Sequence, residues 1–357
     1  LIGGGRAEQT NVKGEGPLTD PTRNIQRTAN GTPVLGANGQ PLPITTDAFD
    51  TSVLTFIDRG AKARNEYLRL FPSLNAGYNI RDNLIARAAY YETIGRPSIN
   101  QYTAAANLPN LELPPATNNR ISVPNAGIKA WTAHSVQLRL EYYFEGVGQV
   151  SVGAYRRDIK DFFGTYVTSA TPEFLALYDL DPAEYGDYDV ATSRNVEGTV
   201  RMQGVDLNYK QALTFLPRWA RGVQVFANAT AQRATGPGDA NFSGFVPRTM
   251  SWGFSLTRER FNVRTNWNYR GRARDAAVAA GASIEPGSYI WLSKYMFVDV
   301  LGEYRLSKRL AVYFNLRNVT DSPEDRKAFG PGTPAVAAFR SRIDYSSLWT
   351  FGVKGTY

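Results

Sequence analysis

Residues Tyr345 to Tyr357 read YSSLWTFGVKGTY, and their alternation decides the fold. Tyr345, Ser347, Trp349, Phe351, Val353, Gly355 and Tyr357 fall on one side, while Ser346, Leu348, Thr350, Gly352, Lys354 and Thr356 fall on the other. A period of two with one aromatic, apolar face and one mostly polar face marks a strand between unlike solvents. A segment of this length ending on an aromatic residue is expected to be the closing strand of a membrane-spanning β-barrel.

The same alternation recurs upstream. Phe261, Val263, Thr265, Trp267 and Tyr269 oppose Asn262, Arg264, Asn266, Asn268 and Arg270; Val136, Leu138, Leu140, Tyr142 and Phe144 oppose Ser135, Gln137, Arg139, Glu141 and Tyr143. Leu68, Leu70, Pro72, Leu74, Ala76 and Tyr78 begin a hairpin whose return strand carries Leu84, Ala86, Ala88 and Tyr90. A weaker run covers Gly5 to Lys13. The pattern predicts an all-β fold, a transmembrane antiparallel up-and-down barrel with about twelve strands, most of them near the ~9 to 11 residues a tilted spanning strand needs. Long irregular loops are expected at about 14–65, 96–132, 169–197, 236–246, 271–288 and 321–344. The connections between them are short, as on the periplasmic side of outer-membrane barrels.

Composition supports one architecture. The 357 residues show no composition break, and mean hydropathy is −0.34. No run approaches the ~18 apolar residues of a membrane helix. Aromatic residues make up 12% of the chain and suit the two membrane interfaces. The net charge of +8 is scattered rather than clustered, which argues against nucleic acid as a partner. A soluble β-sandwich would have shorter strands and no uniformly charged and amide face such as Asn262 to Arg270. The first residue is Leu1, with no secretory signal pattern, so either a leader has been removed or the chain starts inside a longer protein.

Several stretches resemble the TonB-dependent outer-membrane receptors. LRLFPSLNAGY at Leu68 to Tyr78, IARAAYYETIGRP at Ile85 to Pro97, LRLEYYFEGVGQVSVGAYRRDIKDFF at Leu138 to Phe163, NLRNVTD at Asn315 to Asp321 and the terminal WTFGVKGTY are similar to strands of that family. The resemblance implies an outer-membrane protein of a Gram-negative-type bacterium that takes up a siderophore, vitamin or carbohydrate. It further implies contact with membrane lipid and lipopolysaccharide, with the TonB complex through a plug not present in this chain, and with the barrel-assembly machinery through Tyr357. Family barrels have about 22 strands around a plug. This chain is therefore expected to be the C-terminal part of a longer receptor, and a self-contained passive pore or structural outer-membrane barrel is the alternative.

Candidate solute contacts are Tyr102 and Trp131 in the second loop, Tyr178, Tyr185 and Tyr188 in the third, and Arg340 and Arg342 near the mouth. Aromatic faces suit sugars and aromatic chelators, and arginine suits carboxylates. Interface and loop packing competes with that role for each of them. No catalytic residue, cofactor or metal site is expected. Asp179, Asp181, Asp187 and Asp189 lack EF-hand spacing, and the lone histidine, His134, has the outward parity of Val136.

Overall fold

The computed structural model describes the chain apart from residues 16, 58–61, 104–105, 117–118, 126, 145–146, 219–221, 239, 279–286 and 356–357. Among the described residues a 12-stranded sheet dominates, with each strand hydrogen-bonded to the next in sequence. Its strands are β1 (Ile2–Glu15), β2 (Lys62–Arg81), β3 (Leu84–Gly95), β4 (Trp131–Phe144), β5 (Gly148–Lys160), β6 (Thr199–Ala212), β7 (Val223–Thr235), β8 (Arg248–Thr257), β9 (Phe261–Arg270), β10 (Tyr295–Arg305), β11 (Leu310–Arg317) and β12 (Leu348–Gly355). Every pairing is antiparallel, and β1 and β12 form the two edges. Tyr357 lies outside the described residues, so the expected assembly signal has no structural counterpart here.

Register carries the alternation from strand to strand. Ala88 stands opposite Leu138, Leu138 opposite Ala154, Ala154 opposite Val205, and Val205 opposite Ala231. Further runs of outward partners go from Ala227 through Trp252 and Trp267 to Val298, and from Val300 through Leu316 to Trp349. This outward face stays exposed, with Leu138 at 58%, Val205 at 53%, Phe351 at 69% and Leu70 at 69%. So large a contiguous apolar surface is tolerable only against lipid. Trp349, expected on the lipid side, is exposed there too.

Long and short connections alternate as expected, with short ones after β2, β4, β6, β8 and β10. The β6–β7 turn closes on Gly222, whose φ of +91° and approach to the Thr257 carbonyl, 2.4 Å from where a Cβ would sit, leave room for glycine alone.

The long loops depart from expectation because they are folded. The first (16–61) contains a short helix at Ala48–Thr55, and the third contains helices at Pro172–Leu177 and Pro182–Tyr185 capped by Thr171 and Asp181. Strand segments from three loops build a second, 6-stranded sheet, in the order Phe163–Ser169, Asp189–Asn195, Ile121–Ser122, Ala106–Asn107, Leu18–Thr19 and Phe56–Ile57. A 4-stranded sheet joins the last two loops: Ala273–Ala277, Tyr289–Leu292, Glu324–Phe329 and Phe339–Ile343. Two barrel strands are also longer than the alternation suggests: β1 starts at Ile2, and β2 starts at Lys62 rather than Glu66. Their mutual ladder runs from Ile2 opposite Asn75 to Glu15 opposite Lys62, so backbone pairing sustains strands where side-chain alternation fades.

Candidate functional site: the inner wall and the roof above it

Inward parity places Arg87, Arg139, Glu141, Tyr143, Gln149, Asp206, Asn208, Lys210, Gln224 and Arg264 on one wall. Both carboxylates of this wall are paired with arginines. Arg87 Nε lies 3.1 Å from Glu141 Oε2, which also accepts from the Tyr143 hydroxyl at 3.0 Å; Arg139 Nη2 donates to Asp206 Oδ2 at 3.1 Å. Pairs this exposed add little stability, so what they provide is a hydrated, polar surface. Toward the short-turn end the wall forms a cavity of about 650 Å3 that includes Arg139, Glu141, Lys210, Gln224 and Arg264. These residues carry more of the candidate site than the loop aromatics did in the sequence reading, and inward parity was the signal available for finding them.

One contact in this wall depends on a glycine. The Phe226 ring lies across its cross-strand partner Gly253, and the Arg264 guanidinium stacks 5.4 Å from the ring centroid. A Cβ on Gly253 would meet the Thr265 carbonyl at 2.1 Å and the Phe226 ring at 2.9 Å. Gly253→Ala is therefore expected to destabilise the barrel by roughly 1–3 kcal/mol. A lowered urea midpoint would show it, whereas Gly5→Ala, with nothing within 4 Å of its Cβ, should leave the midpoint nearly unchanged.

Above the polar wall the faces exchange character. The inward positions become apolar, at Ala133, Ile159, Val200, Met202 and Ala234, and loop residues Val196, Phe162, Ala240, Phe242 and Phe245 pack onto them. Trp131, expected in a loop, is instead the first residue of β4, and its ring lies across its partner Gly95. Tyr102 is 2% exposed and packs with Ile128 against Val12 and Phe163; burial pushes its hydroxyl up to about 12. The loops thus fold inward and sit on the mouth.

The roof over the first three loops has its own core, made of Leu18, Ala106, Leu108, Ile121, Val123, Leu175, Leu180, Tyr185, Tyr188 and Val190. Tyr185 and Tyr188, expected to face solute, are buried here, and Tyr178 packs half-buried beside Phe174 with ring centroids 5.1 Å apart. The Tyr188 hydroxyl donates to the Leu113 carbonyl at 2.8 Å, and burial holds its pKa above the ordinary phenol value. In this arrangement these rings supply packing, because loop segments that must form a core need large apolar groups as much as a solute site does. A cavity of about 710 Å3 opens beside this core, lined by Pro109, Asn110, Arg120, Ser122 and Thr165 among others.

The roof over the last loops is held by alternating arginine and aromatic side chains. Arg272 lies 4.5 Å from the Trp291 centroid and 5.3 Å from Phe329; Arg274 lies 4.9 Å from Tyr289 and 5.3 Å from Phe242. Of the two arginines expected at the mouth, Arg340 is exposed, whereas Arg342 forms a two-pronged pair with Asp325 at 2.7 and 3.2 Å. The hydrogen bonds from Arg342 hold the Asp325 carboxyl below its usual range. A depressed folded-state pKa means the stabilisation is fully present above the unfolded value of ~3.9 and is lost as pH falls through the folded value. Protection of the Glu324–Phe329 amides, taken relative to the intrinsic exchange rate at each pH, should therefore stay high at neutral pH and fall only below about pH 4. Asp325→Asn should bring faster exchange already at neutral pH.

The family profile described as TonB dependent receptor-like, beta-barrel, matches residues 1–319. Among solved structures, a ferric enterobactin receptor (PfeA) mutant from Pseudomonas aeruginosa is similar at a TM-score of 0.55 and 15% identity, over 98% of this chain and 50% of that one. The copper transporter OprC gives 0.54 and 14% over 99% and 45%, and the ferric citrate transporter FecA 0.50 and 14% over 83% and 39%. The chain thus spans half or less of the length of these structures, and at such identity they share its fold. No curated protein sequence matches it significantly. With lipid-facing strands, a polar inner wall and a profile match over most of its length, the chain belongs to the TonB-dependent receptor-like β-barrels of the Gram-negative outer membrane.

Proposed function

We propose that this barrel serves TonB-dependent active uptake of a scarce solute, a siderophore, vitamin or carbohydrate, with energy delivered through a plug supplied outside these residues. The observation that carries the reading is the folded roof seated on the apolar upper inner wall above a polar cavity. A passive pore gains nothing from such a roof, whereas a receptor that captures solute at low concentration benefits from a preorganised one. The cavity beside Arg120 and the exposed Arg340 are the proposed first solute contacts, with the wall from Arg139 to Arg264 below them. The named neighbours are a ferric enterobactin receptor, a copper transporter and a ferric citrate transporter, so the fold does not choose among cargoes.

The test is accumulation of labelled ferric chelators, cobalamin and oligosaccharides by cells carrying or lacking the receptor gene, each with and without TonB. Uptake of one class that requires both genes is expected. Uptake indifferent to TonB, or steady ion conductance by the purified receptor in a planar bilayer, would support the passive pore instead.

A further inference from the structure

The pairing of cations with carboxylates on the inner side of the barrel ends at its lower edge. Near the end of β10 the inward Glu303 is paired with Lys354 Nζ at 3.4 Å. One inward position further down stands Arg305, opposite Ala311 and exposed. The short turns continue the cationic excess. Those after β6, β8 and β10 carry Arg218, Arg258, Arg260, Lys308 and Arg309, and Glu259 is their single described carboxylate. Arg218, Arg260, Arg305, Lys308 and Arg309 are all exposed, and among the described residues none of them is in an ion pair.

Two hydrogen bonds tie these turns into one rim. Arg258 Nη2 donates to the Arg218 carbonyl at 3.0 Å, joining the β6–β7 and β8–β9 turns, and the Arg305 amide donates to the Arg260 carbonyl at 2.7 Å, joining β10 to the β8–β9 turn. The rim crosses six neighbouring strands, so at ~4.8 Å per strand it extends about 24 Å. Like charges held together in this way repel one another, and an anion from outside the chain would offset that repulsion. Parity separates the cations from lipid. Phe261, Tyr304 and Leu310 take the outward positions at the strand ends, and Arg260, Arg305 and Arg309 alternate with them. The cations therefore border the water beneath the barrel and not the phospholipid around it. They spread along an arc and do not converge on a point, which suits an extended polyanion better than a small ion. Short turns lie on the periplasmic side of outer-membrane barrels. The extended polymer on that side is the cell wall, whose peptide stems carry carboxylates at every repeat, and guanidinium groups are their matching donors.

We propose that Arg218, Arg260, Arg305, Lys308 and Arg309 form a docking surface for the cell wall, binding the carboxylates of the peptidoglycan beneath the outer membrane. Arg258 acts as a positioning residue that braces the β6–β7 turn. The surface depends on which side of the membrane the short turns face and not on any cargo, so it stands or falls separately from the uptake reading.

The full receptor, purified from outer membranes in mild detergent, is mixed with peptidoglycan sacculi freed of protein by protease and sedimented at a series of salt concentrations. It is expected to sediment with the sacculi at low salt and to be released as salt rises. The quadruple variant Arg260→Ser/Arg305→Ser/Lys308→Ser/Arg309→Ser should bind roughly 10- to 100-fold more weakly. Arg233→Ser/Arg248→Ser, at the long-loop end of β7 and β8, should bind as the parent does. Amidating the carboxylates of the sacculi should abolish binding of the parent. Heat-modifiable electrophoretic mobility confirms that each variant is folded. No sedimentation of the parent, equal binding to amidated sacculi, undiminished binding by the folded quadruple variant, or an equal loss in the long-loop variant would each overturn the proposal. Retention only by sacculi that still carry their bound proteins would overturn it in favour of an acidic protein partner.

Discussion

Leu138→Arg is expected to destabilise the barrel by about 2–4 kcal/mol, while Gln137→Arg, one residue away, should change stability by only a few tenths. The two positions differ in parity alone. Leu138 faces outward between Ala88 and Ala154 at mid-strand, where arginine would have to sit in hydrocarbon or draw water and headgroups toward it. Gln137 faces inward and donates to the Tyr91 hydroxyl at 3.0 Å, on a wall that already holds Arg139 and Arg87. The measurement is the urea midpoint of receptor refolded into lipid vesicles, followed by mobility on unheated gels. Equal destabilisation at the two positions would refute the assignment of the outward face to lipid.

That parity was legible in the sequence for a physical reason. Each spanning strand separates lipid from a polar interior, so every second residue is chosen by the same solvent, and the closing strand shows it as plainly as β9 does. Legibility ends where the solvents change. Above the hydrocarbon both sides of a strand are polar or protein-covered, and at Ala133, Ile159 and Val200 the inward face becomes the apolar one. Trp131 looks like a loop aromatic for that reason, although backbone pairing with Gly95 places it in a strand. The roof core was hidden more deeply. Leu18, Ile121 and Leu175 come from three loops, meet through parallel and antiparallel pairs far apart in sequence, and follow no local period. Tyr185 and Tyr188 stood out by residue type, but residue type cannot separate a ring that meets solute from one that fills a core. The inward polar wall was readable strand by strand; which of its members would share a cavity depended on register, which alternation alone leaves open.

The roof core is also where a single substitution should reveal how uptake depends on the loops. Leu175 is fully buried in the short helix Pro172–Leu177, among residues drawn only from the first three loops. Leu175→Ala removes its packing and leaves a cavity, at a cost of about 2–5 kcal/mol. A sheet with two-residue strands such as Leu18–Thr19 and Ala106–Asn107 has little other cohesion, so the loss is expected to unfold the roof locally. Among the described residues no barrel strand contributes to that core, so the barrel should keep its stability. Limited proteolysis should then cut within 106–123 and 172–190 at least 10-fold faster than in the parent, while gel mobility and the urea midpoint of the barrel stay the same. Because the proposed solute cavity lies against this core at Leu108, solute affinity should fall together with protection from protease. Tyr188→Phe gives the graded control: it keeps the ring, loses the hydroxyl's bond to the Leu113 carbonyl, and should cost about 1 kcal/mol. Faster cleavage with unchanged solute affinity would separate the roof from solute capture, and loss of barrel stability would show that the two folded units are coupled.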